Sequence, residues 1–212
     1  MLKTILKVLG VLVVLLVAVA AWLLLPFFST DEVRLDANAW VLLGGGGNTL
    51  VLESEGGPLV IDTKFFMPAG KLQKAIARIS GKPVKMVINT HFHPDHTGGN
   101  PRYVGAEFVA APAVPDRLRN EDPDVYGAGK AGERAVPTTL VASTKTFDFG
   151  DDQVEVRFLG RGHTDGDVVI LLRKRSVLHM GDLFVNGFYP LVDRKSGGSV
   201  REWIGVLDQV IA

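Results

Sequence analysis

The 212-residue chain has no cysteine. That excludes disulfides, thiol catalysis and Cys-ligated zinc, and leaves His, Asp and Glu to hold any metal. An excess of one charge is also missing, since 23 basic residues balance 23 acidic ones. Nucleic-acid phosphates call for clustered Lys and Arg, so no nucleic-acid partner is expected. Nor is a Ser/His/Asp arrangement evident. Histidine is scarce at five, which makes the position of each one informative.

The length suits one catalytic-sized domain with a short extra segment. Residues 1–28 are a different material from the rest. From Ile5 to Leu25 the only charge is Lys7, and Lys3 and Lys7 lie on the N-terminal side of the apolar run. As a helix the run would reach about 31 Å at ~1.5 Å per residue, the depth of a bilayer core. The reading is a membrane anchor or a signal helix, with the domain beyond it outside the cytoplasm, on the periplasmic side in a bacterium. Residues 29–36 read as a polar linker, and residues 37–212 as the functional domain.

Within that domain, short apolar runs alternate with turns. Ala39–Leu43, Thr49–Glu53, Pro58–Asp62, Val84–Asn89 and Phe108–Ala111 read as strands, as do Thr144–Phe149, Gln153–Leu159, Asp167–Leu172 and Ser176–Met180. Helical spacing covers Pro68–Ile79, a short turn at Val114–Arg119 and Val200–Ile211. Gly44 to Asn48 lack a Gly-Lys-Ser/Thr ending and lead into a strand, which predicts a hairpin turn and not a phosphate loop. Residues 120–138 read as a long surface loop over or beside the site.

The chemistry is concentrated in Thr90-His-Phe-His-Pro-Asp-His96. Residues two apart in an extended segment project to one side, so His91 and His93 can reach one ion. Pro94 then turns the chain and lets Asp95 and His96 face a second point nearby. Further on, Gly160-Arg-Gly-His163 supplies another imidazole after a strand, and Met180-Gly-Asp182 ends a strand with a carboxylate. Two imidazoles of the first group plus His163 give three nitrogens and an open fourth position, as a catalytic zinc requires. His179 lies three residues before Asp182, which on a strand turns it the other way. Asp165 and Asp167 read as turn residues; Phe92, Arg161 and Tyr189 read equally as rim or as ordinary packing and solvation.

His-x-His-x-Asp-His, the downstream Gly-His-Thr, the Gly-Asp after a strand, and Asp62 at the end of Val-Ile-Asp-Thr together resemble the metallo-β-lactamase superfamily. The likeness runs from about residue 39 to the C-terminus, with the motifs in the family's order. It implies an α/β (α+β) fold, an αββα sandwich with two zinc ions at one edge. On that likeness His91, His93 and His163 hold the first ion, and Asp95 and His96 the second. Asp182 bridges them, and Asp62 orients a ligand by hydrogen bonding. Asp at position 182 is similar to the glyoxalase II-like hydrolases and their lactonase relatives. Leu178-His-Met-Gly-Asp-Leu-Phe resembles a group of exported bacterial hydrolases.

One departure stands out. The family's second ion takes a last His near the C-terminus, and no His follows His179 here. A further strand, helix and ligand are therefore expected beyond Ala212, with one ion instead of two if that ligand is absent. The implied activity is hydrolysis of an ester, thioester, lactone or amide, β-lactams among them, in a small-molecule substrate. Zinc lowers the pKa of its water to about 7, so hydroxide is available to attack the carbonyl, with Asp95 orienting it. The alternative reading is a membrane-anchored metal-binding protein with little or no turnover.

Overall fold

A computed structural model describes residue 7, residues 9–20 and residues 30–212. Residues 9–20 form an exposed helix, α1. The rest of the segment read as an anchor or signal lies outside the described residues. Among those described, no helix is long and apolar enough to cross a membrane, so a spanning helix has no support there.

The domain is built on two sheets. The first has seven strands in chain order: β1 (Asp31–Arg34), β2 (Ala39–Leu43), β3 (Thr49–Leu52), β4 (Leu59–Ile61), β5 (Met86–Ile88), β6 (Glu107–Ala110) and β7 (Thr139–Leu140). β1 to β4 pair antiparallel, and β4 to β7 pair parallel. The second sheet is antiparallel, made of β8 (Thr144–Phe149), β9 (Asp152–Arg157), β10 (Val169–Leu172) and β11 (Val177–His179) in the order β11-β10-β9-β8. Helix α2 (Ala69–Ile79) covers the outer face of the first sheet, and a C-terminal helix (Val200–Ile211) covers that of the second.

Side-chain parity explains the layers. Leu50, Leu52, Leu59, Ile61, Met86 and Ile88 face inward, meeting Val154, Val156, Ile170 and Leu172 of the other sheet. Their neighbours Val51, Val60 and Val87 face outward, against Leu72, Ala75 and Ile76 of α2. Val169 faces out in turn, against Trp203 and Val206. Strands buried on both faces read as unbroken apolar runs for this reason. Each Leu or Ile so buried contributes roughly 1.5–3 kcal/mol. The result is an α/β sandwich of four layers.

Among the differences from the sequence reading, two segments stand out. Asp31–Arg34, within the stretch read as linker, form edge strand β1; all four residues are exposed and three are charged, so no apolar alternation marks it. Residues 120–138 contain a helical turn (Pro123–Tyr126) and a 3-10 turn (Glu133–Ala135), with Tyr126 fully packed. The Tyr126 hydroxyl donates to Thr97 O at 2.6 Å, pinning this segment beneath the histidine motif.

Candidate metal centre

The parallel strands β4 and β5 end side by side, with Ile61 opposite Ile88. The carboxyl ends of parallel strands are where an open sheet offers a crevice. Here β4 delivers Asp62, and β5 delivers Thr90, His91 and His93. Pro94 then opens a one-turn helix, α3 (Pro94–Thr97), carrying Asp95 and His96. From the second sheet, β9 leads to His163. Past β11, a 3-10 turn (Gly181–Leu183) carries Asp182.

Each of the four imidazoles is anchored through one ring nitrogen. Asp62 Oδ1 accepts from Thr90 N at 2.8 Å, and Oδ2 accepts from both Thr90 Oγ1 and His96 Nδ1 at 2.7 Å. With its proton given to Asp62, Thr90 Oγ1 accepts from His91 Nδ1 at 3.1 Å. Leu191 O accepts from His163 Nδ1 at 2.7 Å, and Asp193 Oδ2 accepts from His93 Nε2 at 3.0 Å. A carbonyl or carboxylate only accepts, so Nδ1 of His96 and His163 and Nε2 of His93 carry a proton; His91 Nε2, His93 Nδ1 and His163 Nε2 are then the nitrogens placed to offer lone pairs.

Those free lone pairs converge. His91 Nε2 lies 3.1 Å from His93 Nδ1, and His163 Nε2 lies 2.9 Å from the same atom. Lone pairs facing one another at this range repel unless a cation sits between them. A tetrahedral zinc with bonds of about 2.0–2.1 Å holds its ligand nitrogens roughly 3.3 Å apart. The donor atoms of His91, His93, His163 and Asp182 all fall within 4.8 Å of one another. This set fits zinc.

A second group, Asp95, His96 and Asp182, meets the same 4.8 Å limit and shares Asp182 with the first. His96 Nε2 is buried without a hydrogen-bond partner, with Asp182 Oδ1 at 3.1 Å and Asp95 Oδ2 at 3.4 Å. Burial opposes a charge on His96, but the carboxylates of Asp62, Asp182 and Asp95 outweigh it and hold the imidazole well above its ordinary value. Positive charge is favoured at this point, which a metal ion also supplies. His91 goes the other way: burial, with its His96, His163 and His93 neighbours, keeps it neutral. Asp62 and Asp95 stay ionised, since the His96 charge overcomes their burial.

All seven residues singled out for the site thus sit at one edge of the sandwich. His179 is apart from the ligand atoms, its Nε2 3.5 Å from Asp62 Oδ2 on the protein side. The parity argument gives the right separation for a different reason. The strand stops at His179, and Gly181 at φ +51° turns Asp182 toward the centre. A β-carbon at Gly181 would lie 2.5 Å from Thr90 Oγ1. Phe92 is core, Asp167 caps the turn at Thr164, Asp165 pairs with Arg117, and Arg161 pairs with Glu202.

Sequence reasoning misses Thr90, Asp193 and Lys64. Thr90 is a single hydroxyl, and nothing in the pattern marks its three-way contact. Asp193 carries a signal: it precedes Ser196 by three, and its side chain accepts from Lys195 N and Ser196 N as a turn cap. Its bond to His93 spans 100 residues and is not local. Lys64 is buried, and its ammonium reaches backbone carbonyls across the fold.

The family profile described as the metallo-beta-lactamase superfamily matches residues 42–211. Among curated relatives, the 2,4-dinitroanisole O-demethylase subunit alpha of Nocardioides sp. (strain JS1661) is 28% identical over 76% of this chain and 48% of its own length. Hydroxyacylglutathione hydrolase of Erythrobacter litoralis is 31% identical over 54% and 40%. Metallo-beta-lactamase type 2 of Bacillus cereus is 25% identical over 84% and 70%. The chain therefore spans about half or less of the first two. In fold it is similar to a metallo-beta-lactamase from Pontibacter korlensis, with TM-score 0.67 and 24% identity over 85% of this chain and 86% of that one. A second is metallo-beta-lactamase IND-7, with TM-score 0.69 and 23% identity over 86% and 84%.

Proposed function

The chain belongs to the metallo-beta-lactamase superfamily, whose members are metal-dependent hydrolases, and on that premise we propose that it is a zinc hydrolase of ester, thioester, lactone or amide bonds, β-lactams included. The observation that carries the proposal is the meeting of three free imidazole lone pairs, from His91, His93 and His163, at 2.9 and 3.1 Å. These residues would hold one ion, Asp95 and His96 a second, and Asp182 would serve both. Zinc so held would supply a Lewis acid and a nucleophile drawn from water near neutral pH. Asp95 would orient the attacking water and take its proton. Asp62 and Thr90 lock the imidazoles in the tautomer that binds metal.

The substrate is read from the surroundings of the centre. The segment from Asp182 to Asp193 is tied to the histidines at its far end, through Leu191 O and Asp193. Between its ends, Phe184, Phe188 and Tyr189 stand 66%, 81% and 93% exposed. Large apolar side chains left uncovered beside a centre mark a contact surface, which supports a substrate with an apolar acyl or aryl group. The named relatives differ in activity, so the fold alone does not choose among bonds.

A metal-binding protein without turnover is the second reading, favoured because, among the described residues, the Asp95–His96–Asp182 group holds a single imidazole where the family's second ion takes a further His. Metal analysis of the purified chain, beside a panel of ester, thioester, lactone and lactam substrates, separates the two. Bound zinc with metal-dependent hydrolysis supports the enzyme. Bound zinc with no turnover on any substrate supports the binding protein, and no bound metal overturns both.

A further inference from the structure

The β2–β3 turn, Gly44 to Asn48, presses on the Asp95–His96 side of the centre. Gly47 N donates to Asp95 O at 3.1 Å. A β-carbon built at Gly46 would stand 2.9 Å from the Asp95 β-carbon, and one at Gly47 would collide with the His96 ring itself. Glycine is required here because backbone has taken the place of side chain against the ligands. A turn of four glycines has little stiffness of its own, since each populates left- and right-handed backbone alike. Something else must hold it.

Lys64 does. Its side chain is fully buried, and Nζ donates to Leu42 O at 2.8 Å, Gly44 O at 2.5 Å and Gly47 O at 2.9 Å. Three donors meet three carbonyls, which uses the whole hydrogen-bonding capacity of an ammonium group. The carbonyls come from the strand entering the turn, its start and its end, so one cation clasps it throughout. Lys64 itself adopts φ +64°, a left-handed conformation unfavourable for a side chain of this kind. Burying an ammonium group without a carboxylate contact is also costly. Both costs fall on the residue that fixes the turn, two positions after Asp62.

We propose that Lys64 is a positioning residue for the Asp95–His96–Asp182 half of the centre, setting the placement of Asp95 and His96 through the glycine turn. The inference rests on the metal reading above. It separates the two ion positions: His91, His93 and His163 have their own anchors in Thr90, Asp193 and Leu191, none of which touches the turn. Loss of the clasp acts directly on the second position and reaches the first only through the shared Asp182 and the Asp62–Thr90 pair.

The test is a competition titration of the metal-free full chain with cobalt(II), followed by its d–d absorption, for the native protein and for Lys64→Met. The expected result is two binding events in the native protein. The Met variant keeps the first within twofold and weakens the second at least tenfold, with an altered spectrum for that event. Gly47→Ala, which leaves Lys64 in place and drives the turn against His96, gives the same selective loss and serves if the Met variant does not fold. An unchanged second event in either folded variant overturns the proposal. So does an equal weakening of both events, which is what a merely structural lysine would give. A native protein that takes up no cobalt overturns the metal reading instead.

Discussion

His93 Nε2 lies 3.0 Å from Asp193 Oδ2, while the other nitrogen of the same ring faces His91 and His163. One carboxylate, 100 residues away in the chain, thereby decides which lone pair His93 offers to the centre. Asp193 also accepts from Lys195 N and Ser196 N, and its own N–H donates to His163 O at 2.9 Å. It ties two of the three converging imidazoles to one turn.

Replacing Asp193 with Ala is expected to weaken metal binding about 10–100-fold, the usual effect of removing the partner of a ligand histidine. The fold should persist, because the residue lies in a turn and is only partly buried. Chelator competition measures the affinity, and thermal unfolding of the metal-free chain checks the fold. An unchanged affinity would show that the His93 tautomer is set by something else.

His91→Ala removes one of the three converging nitrogens. The expected outcome is loss of tightly held zinc together with loss of hydrolysis, by at least a factor of about 1,000 in kcat/KM, equivalent to about 4 kcal/mol. Metal analysis and a fluorogenic ester assay read both effects. Hydrolysis retained in a zinc-free variant would place the reaction elsewhere in the chain.

The double change Phe188→Ser and Tyr189→Ser acts on the exposed segment between Asp182 and Asp193. The ratio of kcat/KM for an octanoyl over an acetyl ester should fall by roughly tenfold, the equivalent of about 1.4 kcal/mol of lost apolar contact. Metal content should stay the same, since neither residue touches the histidines. A ratio that does not move would remove these aromatics from substrate recognition.

Much of this was legible in the chain because the information is periodic or local. Ala39–Leu43 and Val200–Ile211 match the strand and helix read from spacing. The His-x-His-x-Asp-His run concentrates ligands within six residues. What could not be read is long-range or unpatterned. β1 is exposed along its whole length, with Val33 its one apolar residue, and carries no alternation to detect. Tyr126 looks like a loop residue until its packing under α3 is seen. Thr90 and Lys64 act through one hydroxyl and one ammonium, whose partners are fixed only when distant strands come together.

Lys64 also gives a pH dependence. Burial, opposed in part by the Asp62 charge, pushes its amine down to about 8 from the ordinary 10.5. Between these values the unfolded chain holds a proton that the folded chain has lost, so stability rises with pH across that window. Urea unfolding of the metal-free protein at pH 7.5, 9 and 10 should show the native protein gaining on Lys64→Met. Parallel curves for the two proteins would contradict the burial argument.

The most direct measurement is diffraction from crystals grown with zinc, recorded on both sides of the zinc absorption edge. An anomalous peak about 2.0–2.1 Å from His91 Nε2, His93 Nδ1 and His163 Nε2 at once is the predicted result. Zinc found only at other positions, or no peak where these nitrogens meet, would contradict the account.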